Sequence, residues 1–310
     1  MSTIDGRDFP YDRLLLATGT RPRRLALGAE APPVHYLRNI EDALRFRRSL
    51  RPQARIVVVG GGVIGLEAAC AAAKHGCAGI VIESDTRLLA RAFPPVISDI
   101  VAAAHRERGV EFVFGATVVD STSSTVRLSN GRRIEADEVL VGIGVEPAGA
   151  IAEQIGLSAS GGIAVDSHGR TEAPDIFCAG DAALQWSRCH GRAIRVETWA
   201  NAQNQAISVA KNMLGQASAY ADPPWFWTDQ YDLNIQVVGD MGNAGLVQRG
   251  TPADRRFSVI AQRDGELVGA ICVNAAKDMA MLRRLVAGQA KIPRGDLEKP
   301  AYDLRVAMRQ

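Results

Sequence analysis

Residues 55–84, RIVVVGGGVIGLEAACAAAKHGCAGIVIES, carry the pattern that decides the fold. The run IVVV is typical of a parallel strand buried on both faces. Three glycines with the spacing G-x-G-x-x-G follow at Gly60, Gly62 and Gly65, and an alanine-rich helical pattern then continues to Gly76. Because the glycines follow a strand and open a helix, the stretch predicts a Rossmann-like α/β unit.

Each glycine of this loop has a physical role in holding a dinucleotide. Gly60 permits the tight turn, Gly62 lets the backbone approach a pyrophosphate, and Gly65 lets helix and strand pack closely. The amino end of the helix would direct amide groups and a positive dipole at the phosphates. A second predicted strand ends in Glu83, where the fingerprint requires an acid to accept the ribose hydroxyls. A ligand-free turn is the alternative interpretation.

Charged residues near the loop bear on which cofactor binds. Glu83 would repel a 2′-phosphate, so we expect NADH rather than NADPH, although Arg87 and Arg91 follow closely and could weaken that preference. Glu67 lies just past Gly65 in an apolar setting, where an unpaired carboxylate is costly. It is either a surface acid near a positive helix end or a carboxylate that lines the cofactor cleft.

Composition excludes several function classes. The 310 residues are 47% hydrophobic and 23% charged with a net charge of +2, which favours neither nucleic acid nor a membrane surface as a partner. No apolar run approaches the ~18 residues of a membrane span, and the first residues lack the features of a secretory signal. The five cysteines lack metal-ligand spacing, so no metal site is expected, and their odd number favours a reducing cytoplasm.

Two further predicted strands also end in glycine-containing turns. The strand 139–141 is followed by GIGVEP, in which Gly144 would bring the backbone against a ligand. The strand 176–178 is followed by Ala-Gly-Asp, and Asp181 can bind a ribityl or ribose hydroxyl or can cap a helix. A buried strand at the start of the chain, Leu14 to Ala17, ends at Gly19 and looks like the last strand of a domain.

With these motifs the chain resembles the FAD-dependent pyridine nucleotide-disulfide reductase superfamily. Within it, the resemblance is to the ferredoxin reductase type, which includes putidaredoxin, rubredoxin and dioxygenase-linked ferredoxin reductases. It extends over essentially the whole chain. The stretches that carry it are LLLATGTRPR (14–23), VVVGGGVIGLE (57–67), VGIGVEP (141–147), IFCAGDAA (176–183), RVETWANAQNQA (195–206) and PWFWTDQYDLNIQVVG (224–239).

The resemblance implies an α/β fold of three parts. A Rossmann-like NAD-binding domain (21–143) is inserted in an incomplete FAD-binding domain (1–20 and 144–223), and a C-terminal α+β reductase domain follows (224–310). Such reductases normally begin with their own strand, G-x-G-x-x-G turn and helix for the ADP half of FAD. This sequence has one full fingerprint, at the position of the NAD loop, so we expect a form lacking the N-terminal FAD segment.

The resemblance also implies an enzyme that passes electrons from NADH through FAD to a ferredoxin- or rubredoxin-type iron-sulfur protein, often serving an oxygenase. Glu67 would reach the nicotinamide carboxamide, and Trp227 would lie beside the isoalloxazine ring as a catalytic residue, unless it is a core tryptophan. The residues implied to hold cofactors are Gly60, Gly62, Gly65, Glu83 and Gly144 for NADH, and Ala17, Thr18, Gly19, Asp181 and Glu197 for FAD.

Three matters stay open at the level of sequence. A non-catalytic NADH-binding fragment that cannot hold FAD is one alternative function, and a component of another flavin disulfide or nitrite reductase is a second. Seven of the arginines in the C-terminal half form either a docking face for an acidic ferredoxin or an ordinary solvated face. They are Arg188, Arg192, Arg195, Arg249, Arg255, Arg256 and Arg263.

Overall fold

The computed structural model describes residue 3 and residues 5–28, 30–157, 160–299 and 301–308. The first third of the chain alternates strands with helices, as the glycine-loop stretch predicts. Its elements are β1 (Leu14–Leu16), β2 (Thr20–Pro22), β3 (Val34–His35), α1 (Ile40–Ser49), β4 (Arg55–Val59), α2 (Val63–Lys74), β5 (Ala78–Glu83), α3 (Pro95–Arg106) and β6 (Glu111–Phe114).

The middle third consists of short strands that precede one long helix. Its elements are β7 (Val118–Thr122), β8 (Thr125–Leu128), β9 (Arg133–Glu135), β10 (Glu138–Val141), β11 (Val145–Pro147), α4 (Ala150–Gln154), β12 (Ile163–Ala164), β13 (Ile176–Cys178), a 3-10 turn (Gly180–Ala182), β14 (Ala183–Ser187), β15 (Arg192–Arg195) and α5 (Trp199–Met213).

The last third is an antiparallel sheet followed by helices. Its elements are β16 (Trp225–Gln230), β17 (Leu233–Gly239), β18 (Gly245–Thr251), a 3-10 turn (Pro252–Asp254), β19 (Arg256–Arg263), β20 (Glu266–Val273), α6 (Ala276–Ala287), α7 (Arg294–Leu297) and α8 (Leu304–Ala307). The mixed α/β architecture with a C-terminal α+β unit is the predicted fold class.

A five-stranded parallel sheet contains the glycine loop. Its strand order is β3-β10-β4-β5-β6, and α2 connects the adjacent strands β4 and β5. Both faces of β4 are covered, which explains its β-branched sequence: Ile56 and Val58 pack against α1 and α2, while Val57 packs against the meander β7-β8-β9. The predicted βαβ unit is therefore confirmed.

A smaller parallel pair, β1 and β13, places two predicted turns side by side. Leu14 pairs with Ile176 and Leu16 with Cys178, so both strands run in the same direction. Because the carboxyl ends of parallel strands meet at one edge, the turn at Gly19 and the turn at Asp181 lie at the same edge. The two turns that the resemblance assigns to FAD are neighbours.

The C-terminal sheet, of order β16-β17-β20-β19-β18, is covered by helices on both faces. On one face, Leu282 and Leu285 of α6 pack with Ile260 of strand β19. On the other face, residues of α2, α3 and the sheet form one continuous apolar core. Its members include Leu66, Phe93, Ile97, Val101, Ile235, Val259 and Ile271. The glycine-loop helix and the C-terminal sheet are thus fixed to each other.

Some sequence-level expectations for local structure are wrong. The segment after Gly180-Asp181 is a 3-10 turn that leads into β14, so Asp181 does not cap a helix. The helix α1 and the strand β18 were not predicted. Helix α1 has a capping box at Asn39 but a short, highly charged sequence. Strand β18 contains two glycines, which are poor strand formers.

Replacing Gly65 tests the close contact between helix and strand. A Cβ on this residue would lie 2.1 Å from the carbonyl oxygen of Gly60, a backbone atom that cannot move aside. We expect Gly65→Ala to lower the free energy of unfolding by about 2 kcal/mol or more, measured by urea denaturation.

The matched control is Gly79→Ala, a buried glycine of the adjacent strand β5. Its added Cβ would meet Val110 at an ordinary 3.7 Å, so we expect a change below about 0.5 kcal/mol. Equal urea midpoints for the two variants would contradict the assigned role of Gly65.

Candidate active site

The glycine loop leaves open space above the amino end of α2. Gly60 adopts a φ of +108°, and a Cβ there would lie 2.4 Å from the carbonyl oxygen of Gly142, so only glycine fits this turn. A Cβ on Gly62 would meet nothing within 4 Å. Among the described residues no side chain caps α2 at Gly62. The unpaired amides therefore face a space that suits an anion.

Glu83 is held at the end of β5 directly beside this loop. Its Oε2 accepts a hydrogen bond from the Gly61 amide at 2.7 Å, and its Oε1 accepts one from the Asp85 amide at 2.9 Å. These bonds fix the carboxylate where the fingerprint requires an acid. The placement agrees with a role in holding ribose, which remains a prediction.

Arg87 does not project toward the loop as a free cation. Its guanidinium donates to the carbonyl oxygens of Phe93 and Ala90 and to the Ser98 hydroxyl at 2.8 to 3.0 Å. It therefore fastens the segment between β5 and α3. Arg91 is placed differently, since its Nη1 lies 3.9 Å from the position of a Cβ on Gly144.

Glu67 meets the C-terminal sheet across the domain boundary. Its Oε1 accepts a hydrogen bond of 2.5 Å from the Thr228 hydroxyl on β16. Burial raises the pKa of the Glu67 carboxyl above its usual range. The hydrogen bond from Thr228 lowers this pKa, and the nearby charge of Asp229 raises it. One side of Glu67 stays exposed. The residue therefore lies partly exposed where α2 meets β16, and its place in a cofactor cleft remains a prediction.

A buried polar chain continues behind Thr228. Gln230 Nε2 donates to the Thr228 hydroxyl oxygen at 3.2 Å, and Gln230 Oε1 lies 2.9 Å from His105 Nε2. The other ring nitrogen of His105 lies 3.2 Å from the Tyr231 hydroxyl. His105 and Gln230 are fully buried. Sequence reasoning missed both residues, because nothing in the local pattern shows that α3 packs on β16.

Trp227 lies beside Thr228 on β16 and points to the opposite side. It is 42% exposed, so the alternative of a core tryptophan is wrong. Its ring meets Trp199, at the start of α5, edge-on at 6.3 Å, and Trp225 at 5.2 Å. The three rings form an aromatic cluster on that side of β16. Whether Trp227 lies beside a flavin remains a prediction.

The second candidate edge, after β1 and β13, carries an unpaired hydroxyl. Thr18 Oγ1 is buried without a hydrogen-bond partner among the described residues. Arg38 reaches the same place: its Nη1 lies 3.5 Å from Asp181 Oδ2, and its Nη2 is 3.0 Å from the position of a Cβ on Gly19. Thr20 Oγ1 also approaches Asp181 Oδ2, at 3.4 Å. Sequence reasoning did not find Arg38.

Buried amides of α5 hold the turn that presents Asp181. Gln205 Oε1 accepts from the Gly180 amide at 2.8 Å, and Gln205 Nε2 donates to Gln185 Oε1 at 2.6 Å. Gln185 in turn donates to Asn201 at 3.1 Å. All three side chains are buried. Within the amide-rich stretch 195–206, Asn201 and Gln205 therefore support the turn.

Glu197 is electrostatically coupled to this edge. Burial raises the pKa of its carboxyl, Arg195 lowers it through a 2.6 Å ion pair, and Asp181 raises it again. Ala17 is exposed in the segment that follows β1. Hence four of the five residues assigned to FAD, Thr18, Gly19, Asp181 and Glu197, are gathered with Arg38 in one region.

A two-stranded ribbon joins the edges of the two parallel sheets. The strand β2 pairs with β11, which places the segment after Gly19 against the segment after β10. The Arg23 amide donates to the Gly144 carbonyl at 3.0 Å, and the Ala148 amide donates to the Gly19 carbonyl at 3.0 Å. The β2-β11 ribbon therefore links the edge that carries the glycine loop to the edge that carries Asp181.

Several of the arginines considered for docking are engaged inside the protein. Arg249 donates to the carbonyl oxygens of Leu297 and Tyr302, which ties the C-terminal segment to β18. Arg255 pairs with Glu107 and Asp232. Arg263 donates to the Cys189 carbonyl and pairs with Asp240. For these three, a structural role is the interpretation that their contacts favour.

Comparison with known families identifies the chain. The model of the pyridine nucleotide-disulphide oxidoreductase family matches residues 2–206, and the reductase C-terminal family matches residues 225–308. The chain belongs to the pyridine nucleotide-disulphide oxidoreductase family. Enzymes of this family are oxidoreductases that use FAD and NAD(H), so the expected family, enzyme class and cofactors are confirmed.

Similar proteins include reductase components of dioxygenase systems. The chain is 40% identical over 304 residues to the ferredoxin–NAD(+) reductase component of the p-cumate 2,3-dioxygenase system of Pseudomonas putida, covering 97% of this chain and 75% of that protein. It is 40% identical over 309 residues to the corresponding component of the anthranilate 1,2-dioxygenase system of Burkholderia cepacia, covering 97% and 76%.

Solved structures of similar proteins have the same fold. The putidaredoxin reductase chain of a covalent complex with putidaredoxin superimposes with a TM-score of 0.93 at 32% identity, covering 98% of this chain and 76% of that chain. A ferredoxin reductase from Rhodopseudomonas palustris gives 0.93 at 34% identity, covering 98% and 77%. Within the described part of the chain, every helix is too short or too polar to cross a membrane.

The buried His105 makes stability depend on pH. Burial lowers the pKa of this imidazole below its ordinary value of 6.5. Below pH 6.5, His105 is protonated in the unfolded chain but stays neutral in the folded chain. The free energy of unfolding therefore falls as the pH drops from 6.5 through the lower pKa that His105 has in the folded chain. His105→Gln keeps a donor to Gln230 but cannot titrate, so we expect it to lose less stability than the parent below pH 6.5 in urea titrations.

The control for this comparison is His75→Gln, because His75 is exposed at the end of α2. It should follow the parent at every pH. Parallel pH dependences for the parent and His105→Gln would contradict the assignment of a neutral, buried His105.

Proposed function

We propose that the chain is an NADH-dependent flavoprotein reductase that passes electrons from NADH through FAD to a ferredoxin- or rubredoxin-type iron-sulfur protein. The observation that carries the proposal is the link between two parallel-sheet edges, one with the glycine loop and one with Asp181. The hydrogen bonds of Gly19 and Gly144 across β2 and β11 join those edges. The relatives named above support the identity of the acceptor.

The chain's own residues fit both cofactors. The uncapped amides at Gly62 and the carboxylate of Glu83 suit the ADP half of NADH, with Gly60 and Gly65 shaping the loop. The orphaned Thr18 hydroxyl, beside Asp181 and Arg38, suits the polar ribityl and phosphate region of FAD. Ala17, Gly19 and Glu197 complete that region, and Gly144 lies between the two. When bound, FAD supplies the conversion of a two-electron hydride into single electrons.

Glu67 and Trp227 orient the reacting end of NADH. Thr228 occupies Oε1 of Glu67, so Oε2 is the oxygen that can accept a hydrogen bond from the nicotinamide carboxamide. The exposed face of Trp227, which contacts Trp225 and Trp199, would exclude water beside the reacting end of NADH. In this proposal the polypeptide contributes position and electrostatics, and the cofactor contributes the redox chemistry.

The proposed division of the chain follows its sheets. The five-stranded parallel sheet lies within 21–143, the proposed NAD-binding domain. The pair β1-β13 lies within 1–20 and 144–223, the proposed FAD-binding part, and the antiparallel sheet lies within 224–310. We further propose that the enzyme works in the cytoplasm, a reducing compartment that suits its five free cysteines.

Replacing Asp181 tests the FAD part of the proposal. Asp181→Ala removes the carboxylate between Thr20 and Arg38, and we expect FAD affinity to fall about tenfold or more, measured by flavin fluorescence, with NADH affinity unchanged. Asp99→Ala, an exposed acid on α3, serves as the control. Unchanged FAD affinity in Asp181→Ala would remove Asp181 from the site.

Replacing Glu67 tests the reaction itself. The assay is NADH-dependent reduction of a two-iron ferredoxin by the FAD-loaded chain. In Glu67→Gln the group beside the nicotinamide becomes a donor, so we expect KM for NADH to rise about tenfold with a smaller change in kcat. The control is Glu153→Gln, at an exposed site on α4. Failure of the parent to reduce ferredoxin would favour a non-catalytic NADH-binding protein.

A further inference from the structure

The buried polar chain has a single consistent hydrogen-bond direction. Gln230 Oε1 can only accept, so the His105 Nε2 at 2.9 Å must carry the proton. His105 is neutral, because burial lowers its pKa, and its Nδ1 therefore accepts from the Tyr231 hydroxyl. At the other end, Gln230 Nε2 donates to Thr228, which leaves the Thr228 proton for Glu67. Every donor points toward Glu67.

This direction fixes what each carboxylate oxygen of Glu67 can do. Oε1 is an acceptor as long as Thr228 donates to it, at 2.5 Å. Protonating Oε1 would weaken it as the acceptor for Thr228, so a proton taken up by Glu67 is favoured on Oε2. Oε2 has no side-chain partner among the described residues, and it is the oxygen that we assign to a ligand. The chain thus separates the two oxygens, one for the protein and one for the ligand.

We propose that His105 is a positioning residue for Glu67: acting through Gln230 and Thr228, it keeps Glu67 Oε1 bonded to the protein and leaves Oε2 to the nicotinamide carboxamide. The proposal rests on the proposed function for the identity of the ligand, but the hydrogen bonds from Tyr231 to Glu67 are independent of that function. His105 touches neither Glu67 nor the cleft, and acts only through the orientation of the Gln230 amide.

The amide of Gln230 is the element that His105 controls. Without a donor at His105, the Gln230 amide can turn over and present its oxygen to Thr228. Thr228 would then donate to Gln230, and Glu67 would lose its partner. Because Thr228 and Gln230 are at most 1% exposed, water cannot reach them to replace the lost hydrogen bond.

Other charged and titratable groups face the chain from each packed element. Asp229 on β16 faces Glu67. Arg108, after α3, stacks on the Tyr231 ring at 4.1 Å and lowers the pKa of His105. Cys70 on α2 acts on Tyr231, whose pKa is raised mainly by burial. Lys74 on α2 lies 6.0 Å from the Tyr231 ring centroid. The backbone amide of Asp229 also bonds to Glu67 and lowers the pKa of its carboxyl. None of the named side chains takes a hydrogen-bond position within the chain from Tyr231 to Glu67.

A pair of nearly isosteric variants tests the proposal. His105→Gln keeps a donor for Gln230, whereas His105→Met has none. On the full chain we would measure the Kd for NADH by fluorescence and the titration of Glu67 by carbon-13 NMR, with Glu67→Gln assigning the signal. We expect His105→Met to weaken NADH binding by about fivefold to tenfold and to raise the pKa of Glu67, because the Thr228 bond that lowers it is lost. His105→Gln should match the parent.

The outcomes separate this inference from the proposed function. Equal NADH affinity and equal Glu67 titration in His105→Met and His105→Gln would overturn the positioning role. If Glu67 titrates differently in the two variants while Glu67→Gln leaves NADH affinity unchanged, the positioning role of His105 is supported and the assignment of Glu67 to the nicotinamide fails. If His105→Met does not fold, Thr228→Val breaks the same chain beside Glu67 and must raise the pKa of Glu67; an unchanged titration there would also overturn the proposal.

Discussion

The apolar core shared by α2, α3 and the C-terminal sheet is the contact on which the rest of the site depends. Leu66, Ile97 and Val101 from the helices pack with Ile235 and Ile271 from the sheet, all fully buried. Each such side chain contributes about 1.5–3 kcal/mol by burial. This packing brings β16 against α2, and it is the reason that a threonine 161 residues away can bond to Glu67.

The same packing accounts for the two different faces of β16. Alternate residues of a strand face opposite sides, so Thr228 and Gln230 enter the polar chain while Trp227 faces away from it and stays partly exposed. A polar chain buried in an apolar core is costly unless every member is bonded. Here Thr228, Gln230 and His105 all have hydrogen-bond partners. These bonds, which all run toward the Glu67 carboxylate, offset the free energy of burying the polar groups.

Sequence reasoning succeeded where the signal is local. The β-branched run, the glycine spacing and the acid at the end of β5 lie within thirty consecutive residues, 55–84, and their structure follows from backbone constraints on glycine and on parallel strands. It also located the turns at Gly19 and Asp181, because each ends a short apolar strand. The resemblance then related these turns to each other, which no local pattern does.

What the sequence could not provide are contacts between distant elements. Arg38 reaches Asp181 from a segment with no motif, His105 reaches Glu67 through two other side chains, and the arginines at 249, 255 and 263 look like a charged surface until their carbonyl and carboxylate partners are seen. Charge and polarity in a sequence show that a side chain needs a partner. Only the packing of helices on sheets determines which partner it has.

The most direct test of the account is the visible absorbance of the purified chain after incubation with FAD and removal of free flavin, recorded anaerobically before and after NADH is added. The account predicts that flavin absorbance stays with the protein and is bleached by NADH, since both edges of the site are formed by this chain. A colourless protein that still binds NADH would contradict it and would leave only the dinucleotide-binding part of the assignment.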